Sequence, residues 1–137
     1  MSYTRITIRR DNKNHVPDTH DYIYGELDGF LSEVIGLGKE THVGAVDTKF
    51  FVDEIADNFL LYDDVFNKVT IDLWLDQEMH MEMKIVHDGN DFDPLDAASD
   101  CPKIKAAIHR LNITPQEITL GERETTRFWI KYSLRRQ

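Results

Sequence analysis

Residues 69–87 read VTIDLWLDQEMHMEMKIVH, with an apolar side chain at every second position on either side of a polar turn. The apolar residues that follow this alternation are Val69, Ile71, Leu73, Leu75, Met81, Met83 and Ile85. A period of two is typical of strands that bury one face. The stretch therefore predicts an antiparallel hairpin, with strands at 69–75 and 81–87, a turn at 76–78, and His87 on the buried face.

Upstream of the hairpin the apolar period becomes helical. Apolar residues at helical spacing predict a first helix over 18–35, with Asp18 as its N-cap. Two glycines follow it, and a second helix is predicted from just after Thr41 to about Tyr62. A stretch rich in β-branched residues at 3–10 predicts a strand ahead of both helices.

Downstream of the hairpin the chain predicts a loop at 87–94, a short helix and two closing strands at 117–120 and 125–134. The short helix has four apolar residues on one face, namely Ile104, Ala107, Ile108 and Leu111. Strands that come in pairs indicate an α+β fold, a two-layer sandwich with helices on one face of a mixed, mostly antiparallel sheet. With 137 residues, 41% of them hydrophobic, the chain fits one domain spanning 1–137.

The composition excludes several classes of function. A formal net charge of −9 repels nucleic-acid phosphates and acidic membranes, so a basic protein surface or a chelated metal–nucleotide is expected as partner instead of DNA or RNA. No stretch approaches the roughly 18–20 apolar residues of a membrane-spanning helix, and the first residues lack the apolar core of a secretory signal. The single cysteine, Cys101, excludes an intrachain disulfide and a thiolate metal site, and the chain is expected to be cytoplasmic.

Two polar residues of the second helix, Glu54 and Asn58, are four positions apart and therefore lie on one face, about 40° from each other. Asn58 offers a carbonyl ligand for an oxygen-ligated magnesium site, and Glu54 offers a carboxylate that orients or deprotonates a nucleophile. The same spacing is equally typical of a solvated polar stripe on an amphipathic helix.

The loop at 87–94 reads HDGNDFDP, and most of its residues favour turns. Its place in the chain is more informative: it follows the helix with Glu54 and Asn58 and the hairpin, and it precedes a short helix and two strands. This order resembles the histidine-kinase-like ATPase (Bergerat) fold. Within that fold the chain is similar to the anti-sigma-factor serine/threonine kinases of bacteria, as a divergent member. The resemblance spans nearly the whole chain, from the first strand to Leu134.

The resemblance implies roles for individual residues. The general base of the family matches Glu54, and the asparagine that holds the magnesium of bound ATP matches Asn58. Anchoring the family's Asp-x-Gly-x-Gly loop on the Phe-Asp-Pro at 92–94 puts its adenine-binding aspartate at His87. The first glycine of that loop then falls on Gly89. The residues that would bind the cofactor are Asn58, His87, Gly89, Asp91, Phe92 and Lys103.

The chain departs from the family pattern at the adenine and phosphate positions. A neutral His87 can accept a hydrogen bond from the adenine amino group, but it also fits the buried face of its strand. Asp88, one residue later, is predicted to point to the opposite face. The region 96–107 has no glycine where the phosphate-binding segment is expected. Lys103 and Lys105 either contact phosphates as point charges or are solvated.

Two functions stay open on this sequence. In the first, the chain binds ATP and magnesium, sequesters a sigma factor and phosphorylates a serine of an antagonist protein, with Glu54 as base and Asn58 as metal ligand. In the second, the same fold is a protein-interaction module that no longer binds nucleotide. Both imply a sigma factor or its antagonist as partner, and the resemblance also implies a homodimer. The six histidines lack a metal-type spacing such as HExxH, which argues against a zinc enzyme.

Overall fold

The computed structural model describes residues 2–35, 43–90, 102–111, 113, 118–120 and 127–134. In chain order, its strands are β1 (Ser2–Arg9), β2 (Lys68–Leu75), β3 (His80–His87), β4 (Ile118–Leu120) and β5 (Arg127–Ser133). Its helices are α1 (Val16–Ile35), α2 (Val43–Asp57) and α3 (Pro102–Arg110), with a 3-10 turn at Arg10–Asn14 and a π-helical turn at Asn58–Tyr62. The order of elements is the predicted one.

The strands form one sheet in the order β1-β2-β3-β5-β4, and each pairing between described strands is antiparallel. In the central hairpin Ile71 lies opposite Ile85, and on the other side of β2 it lies opposite Ile6. Ile130 of β5 pairs with Met83 of β3. The α+β fold predicted from the paired strands, a two-layer sandwich, is confirmed, but the sheet expected to be mixed is antiparallel in all its described pairings.

The two faces of the sheet have different environments. One face packs against the helices, and its fully buried side chains include Ile6, Ile8, Val69, Ile71, Leu73, Leu75, Met83, Ile85 and Ile130. The helices contribute Ile23, Leu27, Phe51, Ile55 and Phe59 to the same core. On the opposite face, Tyr3, Arg5 and Lys131 are exposed and Trp74 and Lys84 are half-buried. The alternation of the hairpin therefore separates a helix-covered face from a face that no described element covers.

The helix boundaries differ from the predicted ones in physically informative ways. α1 begins at Val16, so Asp18 lies in its first turn instead of at the N-cap, where a carboxylate still interacts favourably with the helix dipole. The predicted second helix does reach Tyr62, but its last turn changes from α to π at Asn58. Among the described helices, none is long and apolar enough to cross a membrane.

The turn of the hairpin is built around Asp76. Its carboxylate accepts hydrogen bonds from the backbone N–H groups of Glu78 and His80, both at 2.9 Å. Met79 completes the turn with a positive φ of 69°, and its side chain is nevertheless buried. The Met79 carbonyl accepts a hydrogen bond from the Leu134 N–H at 2.8 Å, which ties the turn to the end of β5.

Candidate functional site

A group of acidic side chains lies on α2, which packs against both α1 and α3. Asp53 and Asp57, one turn apart, face His20 and Tyr24 of α1. Glu54 occupies the next position around the helix, toward Lys103 of α3. Because one turn of α2 carries these three carboxylates, the helix places a strongly negative group between two neighbouring helices.

The α1 side of this group has short distances between ligand-type atoms. His20 Nε2 lies 2.6 Å from Asp57 Oδ1, a hydrogen-bonding distance, and 3.6 Å from Asp53 Oδ1. The other oxygen of Asp53, Oδ2, accepts a long hydrogen bond of 3.5 Å from the Tyr24 hydroxyl. The imidazole of His20 therefore lies between the carboxylates of Asp53 and Asp57. The hydroxyl of Tyr24 contacts the other oxygen of Asp53.

The protonation equilibria follow from this arrangement. Burial lowers the pKa of His20, but the hydrogen bond to Asp57 and the charges of Asp53, Asp57 and Glu54 outweigh it and raise the pKa overall. Burial raises the pKa of Asp53, and His20 only partly offsets that effect. Burial and the nearby Asp53 carboxylate raise the pKa of Tyr24 to about 12. Each shift reflects excess negative charge in a poorly solvated space.

Glu54 and Asn58, predicted as base and magnesium ligand, are both half-buried. Burial raises the pKa of Glu54, Lys103 lowers it, and Asp57 and Asp53 raise it further. Lys103 of α3 thus lies within electrostatic range of Glu54, although the side chain of Lys103 is largely exposed. Asn58 lies at the start of the π turn, where the α-helical spacing that relates it to Glu54 ends.

His87, at the position where the resemblance implies an adenine-binding residue, is buried in the core. Its Nδ1 accepts a hydrogen bond of 3.1 Å from the Gly89 N–H, and its ring lies 4.7 Å from the ring of Phe59. The interpretation of this residue as a core histidine therefore matches its position. Its neighbour Asp88 points away and accepts hydrogen bonds from the N–H groups of Asn67 and Lys68.

Gly89 lies against Asp63, which closes the loop after β3 onto the end of α2. The buried Asp63 carboxylate accepts hydrogen bonds from the N–H groups of Val65, Phe66 and Asn90, at 2.8, 3.0 and 2.8 Å. A Cβ atom on Gly89 would collide with that carboxylate and would approach Phe66 Cβ to 2.8 Å. The glycine expected to approach a nucleotide is thus required for a contact inside the protein.

The chain matches no protein-family model, and no curated protein is similar enough to count as a relative. Two of the residues implied by the resemblance, Asp91 and Phe92, lie outside the described residues.

The sequence did not indicate the group formed by His20, Asp53 and Asp57. The only signal was the pair of aspartates four apart on a predicted helix, a spacing as common as that of Glu54 and Asn58. His20 lies 37 positions before Asp57, and the packing of α1 on α2 is what brings them together.

Proposed function

We propose that this chain is a regulatory protein of the anti-sigma-factor type, which works in the cytoplasm by binding a sigma factor or its antagonist. The observation that carries the proposal is a short stretch of exposed apolar side chains just after α2. Leu61, Tyr62 and Val65 are 52%, 79% and 49% exposed. We refer to these three residues as the apolar stretch. A group of large exposed apolar side chains, unlike a single one, is a feature of binding surfaces, and these three lie within five positions of the chain.

Two further properties support binding to a protein and not to a nucleotide. The net charge of −9 favours a partner with a basic surface, such as a DNA-binding sigma factor. At the expected adenine position, His87 is buried against Phe59 and accepts a hydrogen bond from Gly89. Recognition of adenine at that position would have to disrupt contacts that the loop itself uses.

The proposal is tested by measuring binding to purified sigma factors and antagonist domains from the same genome, by biolayer interferometry. Leu61→Ser and Tyr62→Ser should each weaken the complex by at least about tenfold, because they remove apolar contact area. Phe50→Ser is the matched control, since Phe50 is 46% exposed on α2 but outside the apolar stretch. The proposal fails if no such partner binds, or if Phe50→Ser weakens binding as much as Tyr62→Ser.

A second candidate function is a magnesium- and ATP-dependent serine/threonine kinase. The specific observation in its favour is Glu54, whose pKa burial raises and which lies near Lys103. A carboxylate with a raised pKa is suited to general-base catalysis near neutral pH, and a lysine at the start of a helix suits a phosphate group. Asn58 follows one turn later as the expected magnesium ligand.

This second function is tested by calorimetric titration with ATP and magnesium. A kinase should release heat that Asn58→Ala abolishes, whereas absence of heat at high micromolar protein excludes the ATP-dependent function. If ATP binds, transfer of labelled phosphate to an antagonist domain should depend on Glu54. Transfer that persists in Glu54→Gln would contradict its role as the base.

The homodimer implied by the resemblance belongs to the same proposal. It predicts a molar mass near 32 kDa by light scattering at micromolar concentration, since one chain has a mass of 16.0 kDa. A mass of a single chain at the concentration where the partner binds would exclude a dimer as the binding form.

A further inference from the structure

Three side chains of the kinds that bind metal ions meet between α1 and α2. His20, Asp53 and Asp57 each present one ligand atom, and these atoms all lie within 4.8 Å of one another. Two of them are carboxylate oxygens and the third is an imidazole nitrogen, His20 Nε2. Neither of the functions proposed above uses this group, and the magnesium ligand expected from the resemblance, Asn58, is a different residue.

Asp53 provides an independent indication that the group is incomplete. The residue is only 8% exposed, and its Oδ1 atom is fully buried without a hydrogen bond to any described residue. That oxygen faces His20 Nε2 across 3.6 Å, which is within ion-pair range of a protonated imidazole but too long for a hydrogen bond. A buried carboxylate oxygen without a hydrogen bond is costly and requires an explanation, of which a bound cation is one.

The local charge points in the same direction. Asp53, Glu54 and Asp57 place three carboxylates within five positions of α2, and Lys103 is the nearby described lysine that acts on Asp53 and Glu54. Asp53 and Asp57 are like charges at the i and i+4 positions of a helix, an arrangement that destabilises the helix. A divalent cation between them would convert this repulsion into attraction.

From this geometry we propose that His20, Asp53 and Asp57 bind one divalent first-row transition-metal ion, for which Zn²⁺ is the representative. Metal–ligand bonds of about 2.0–2.2 Å put neighbouring ligand atoms roughly 3–3.5 Å apart. The 3.6 Å between His20 Nε2 and Asp53 Oδ1 is close to that range. The 2.6 Å between His20 Nε2 and Asp57 Oδ1 is a hydrogen bond, and it lengthens when the metal replaces the shared proton.

The composition of the group selects the class of ion. An imidazole nitrogen favours zinc and its neighbours in the first transition row over magnesium or calcium, which prefer sites made of oxygen ligands. Three protein ligands leave at least one coordination position for water. The Tyr24 hydroxyl lies 3.5 Å from Asp53 Oδ2, the oxygen other than the one that faces His20. A hydrogen bond of this kind to a metal ligand holds the ligand in its binding orientation.

The test is a calorimetric titration of the chelator-treated full chain with ZnCl₂ at pH 7. We expect saturable binding of one ion per chain. His20→Gln and Asp57→Asn should each weaken it by at least about 100-fold, and Tyr24→Phe by about tenfold, because supporting hydrogen bonds typically contribute factors of 10–100. Circular dichroism of each variant establishes that it is folded, and Tyr24→Phe supplies a milder variant if one of the ligand variants unfolds.

The chain offers a matched control in His80. Its Nδ1 lies 3.2 Å from Asp76 and 3.7 Å from Glu78, but the histidine side chain is 57% exposed, so the group resembles the site in chemistry and not in burial. His80→Gln should leave zinc binding unchanged. The proposal is overturned by absence of saturable binding, or by equal losses in His80→Gln and His20→Gln.

Substitution with Co²⁺ adds a readout of the ligands. Nitrogen and oxygen ligation predicts visible absorption bands that His20→Gln removes, without the charge-transfer bands of a thiolate. Thiolate bands that disappear in Cys101→Ser would assign the ion to Cys101 and overturn the proposal.

Discussion

At the scale of single residues, Gly89 joins two parts of the chain through a close approach. Its backbone lies against the Asp63 carboxylate and Phe66, leaving no room for a side chain. Gly89→Ala should therefore lower the free energy of unfolding by about 1–3 kcal/mol, because a methyl group is forced into a packed space. Urea denaturation followed by tryptophan fluorescence measures this difference.

Glycines in α1 provide the control for this substitution. A Cβ atom at Gly25 or Gly29 meets no atom within 4 Å. Alanine at either position should raise the free energy of unfolding by roughly 0.5–1 kcal/mol, since it reduces the backbone entropy lost when the helix forms. Equal effects at Gly25 and Gly89 would show that the collision with Asp63 does not matter.

Asp72 is a buried carboxylate on the face of the sheet that no described element covers. The hydroxyl of Tyr3 and Nε of Arg5 donate hydrogen bonds to Asp72 Oδ1, at 2.5 and 2.7 Å. Burial would raise the pKa of Asp72, but these hydrogen bonds and the charge of Arg5 outweigh it and hold the pKa below its ordinary value of 3.8. The ionised form is therefore the one that stabilises the folded protein.

This shift predicts a pH-dependent effect of Asp72→Asn. A lowered pKa in the folded state means that the stabilisation is complete above the ordinary value and is lost as pH falls through the lowered one. The variant should lose about 1–2 kcal/mol of unfolding free energy at pH 7, and the difference should shrink as pH falls below about 4. Urea denaturation at several pH values measures it. Glu82→Gln, on the same face and more exposed, should show little difference at any pH.

His87 and Asp88 show how much of the site the sequence could predict. Alternation along β3 correctly placed these neighbours on opposite faces, and the structure has His87 in the core and Asp88 at the surface. His87 contacts Phe59, and Asp88 contacts the backbone of Asn67 and Lys68. The packing of different elements against each other determines these partners. Alternation carries no information about which element lies above a strand.

At the scale of secondary-structure elements, the end of α2 is unusual because the helix changes type there. The helix continues as a π turn from Asn58 to Tyr62, and Lys13 of the 3-10 turn covers its end. Lys13 Nζ donates hydrogen bonds to the carbonyl oxygens of Phe59, at 3.1 Å, and of Asp63. A cation at the C-terminal end of a helix also interacts favourably with the helix dipole.

Lys13→Met should therefore destabilise this end of the helix specifically. The variant keeps most of the aliphatic chain but loses both hydrogen bonds, which predicts a loss of about 1–2 kcal/mol in unfolding free energy. Amide hydrogen exchange should show the loss of protection concentrated in residues 58–63.

Lys49→Met is the corresponding control. Lys49 Nζ lies 2.7 Å from Asp28 Oδ1 in a pair whose aspartate is well exposed. Exposed ion pairs contribute less than about 1 kcal/mol, so this variant should change stability little. A uniform loss of protection over the whole of α2 in Lys13→Met would contradict a local capping role.

The span of this helix was predictable and its change of type was not. Apolar periodicity indicated helix as far as Tyr62, where the π turn also ends. The switch at Asn58 coincides with the contacts of Lys13, which lies 46 positions before Phe59 and 50 before Asp63. The periodicity of apolar residues indicates which face of a helix is buried. It does not indicate hydrogen bonds to residues that are distant in the sequence.

At the scale of the whole molecule, the helices cover one face of the sheet, and this asymmetry has a measurable consequence. Leu73 is fully buried on the helix-covered face of β2, whereas Thr70 is half-buried on the other. Leu73→Ala should cost about 2–5 kcal/mol of unfolding free energy through lost burial and a cavity. Thr70→Ala should cost less than about 1 kcal/mol. Similar costs in urea denaturation would mean that both faces are packed equally.

The sequence alone was sufficient for the class of fold, because burial of one face imposes a period of two on strands and a helical period on α1 to α3. These periods also gave the order of elements and the side of the strand on which His87 lies. The sequence did not indicate which helices touch, because side-chain period is a property of a single element. Only the packing of α1 on α2 brings His20 to within 2.6 Å of Asp57, across 37 positions of chain. The metal site proposed here therefore depends on a contact between helices that no local pattern of residues encodes.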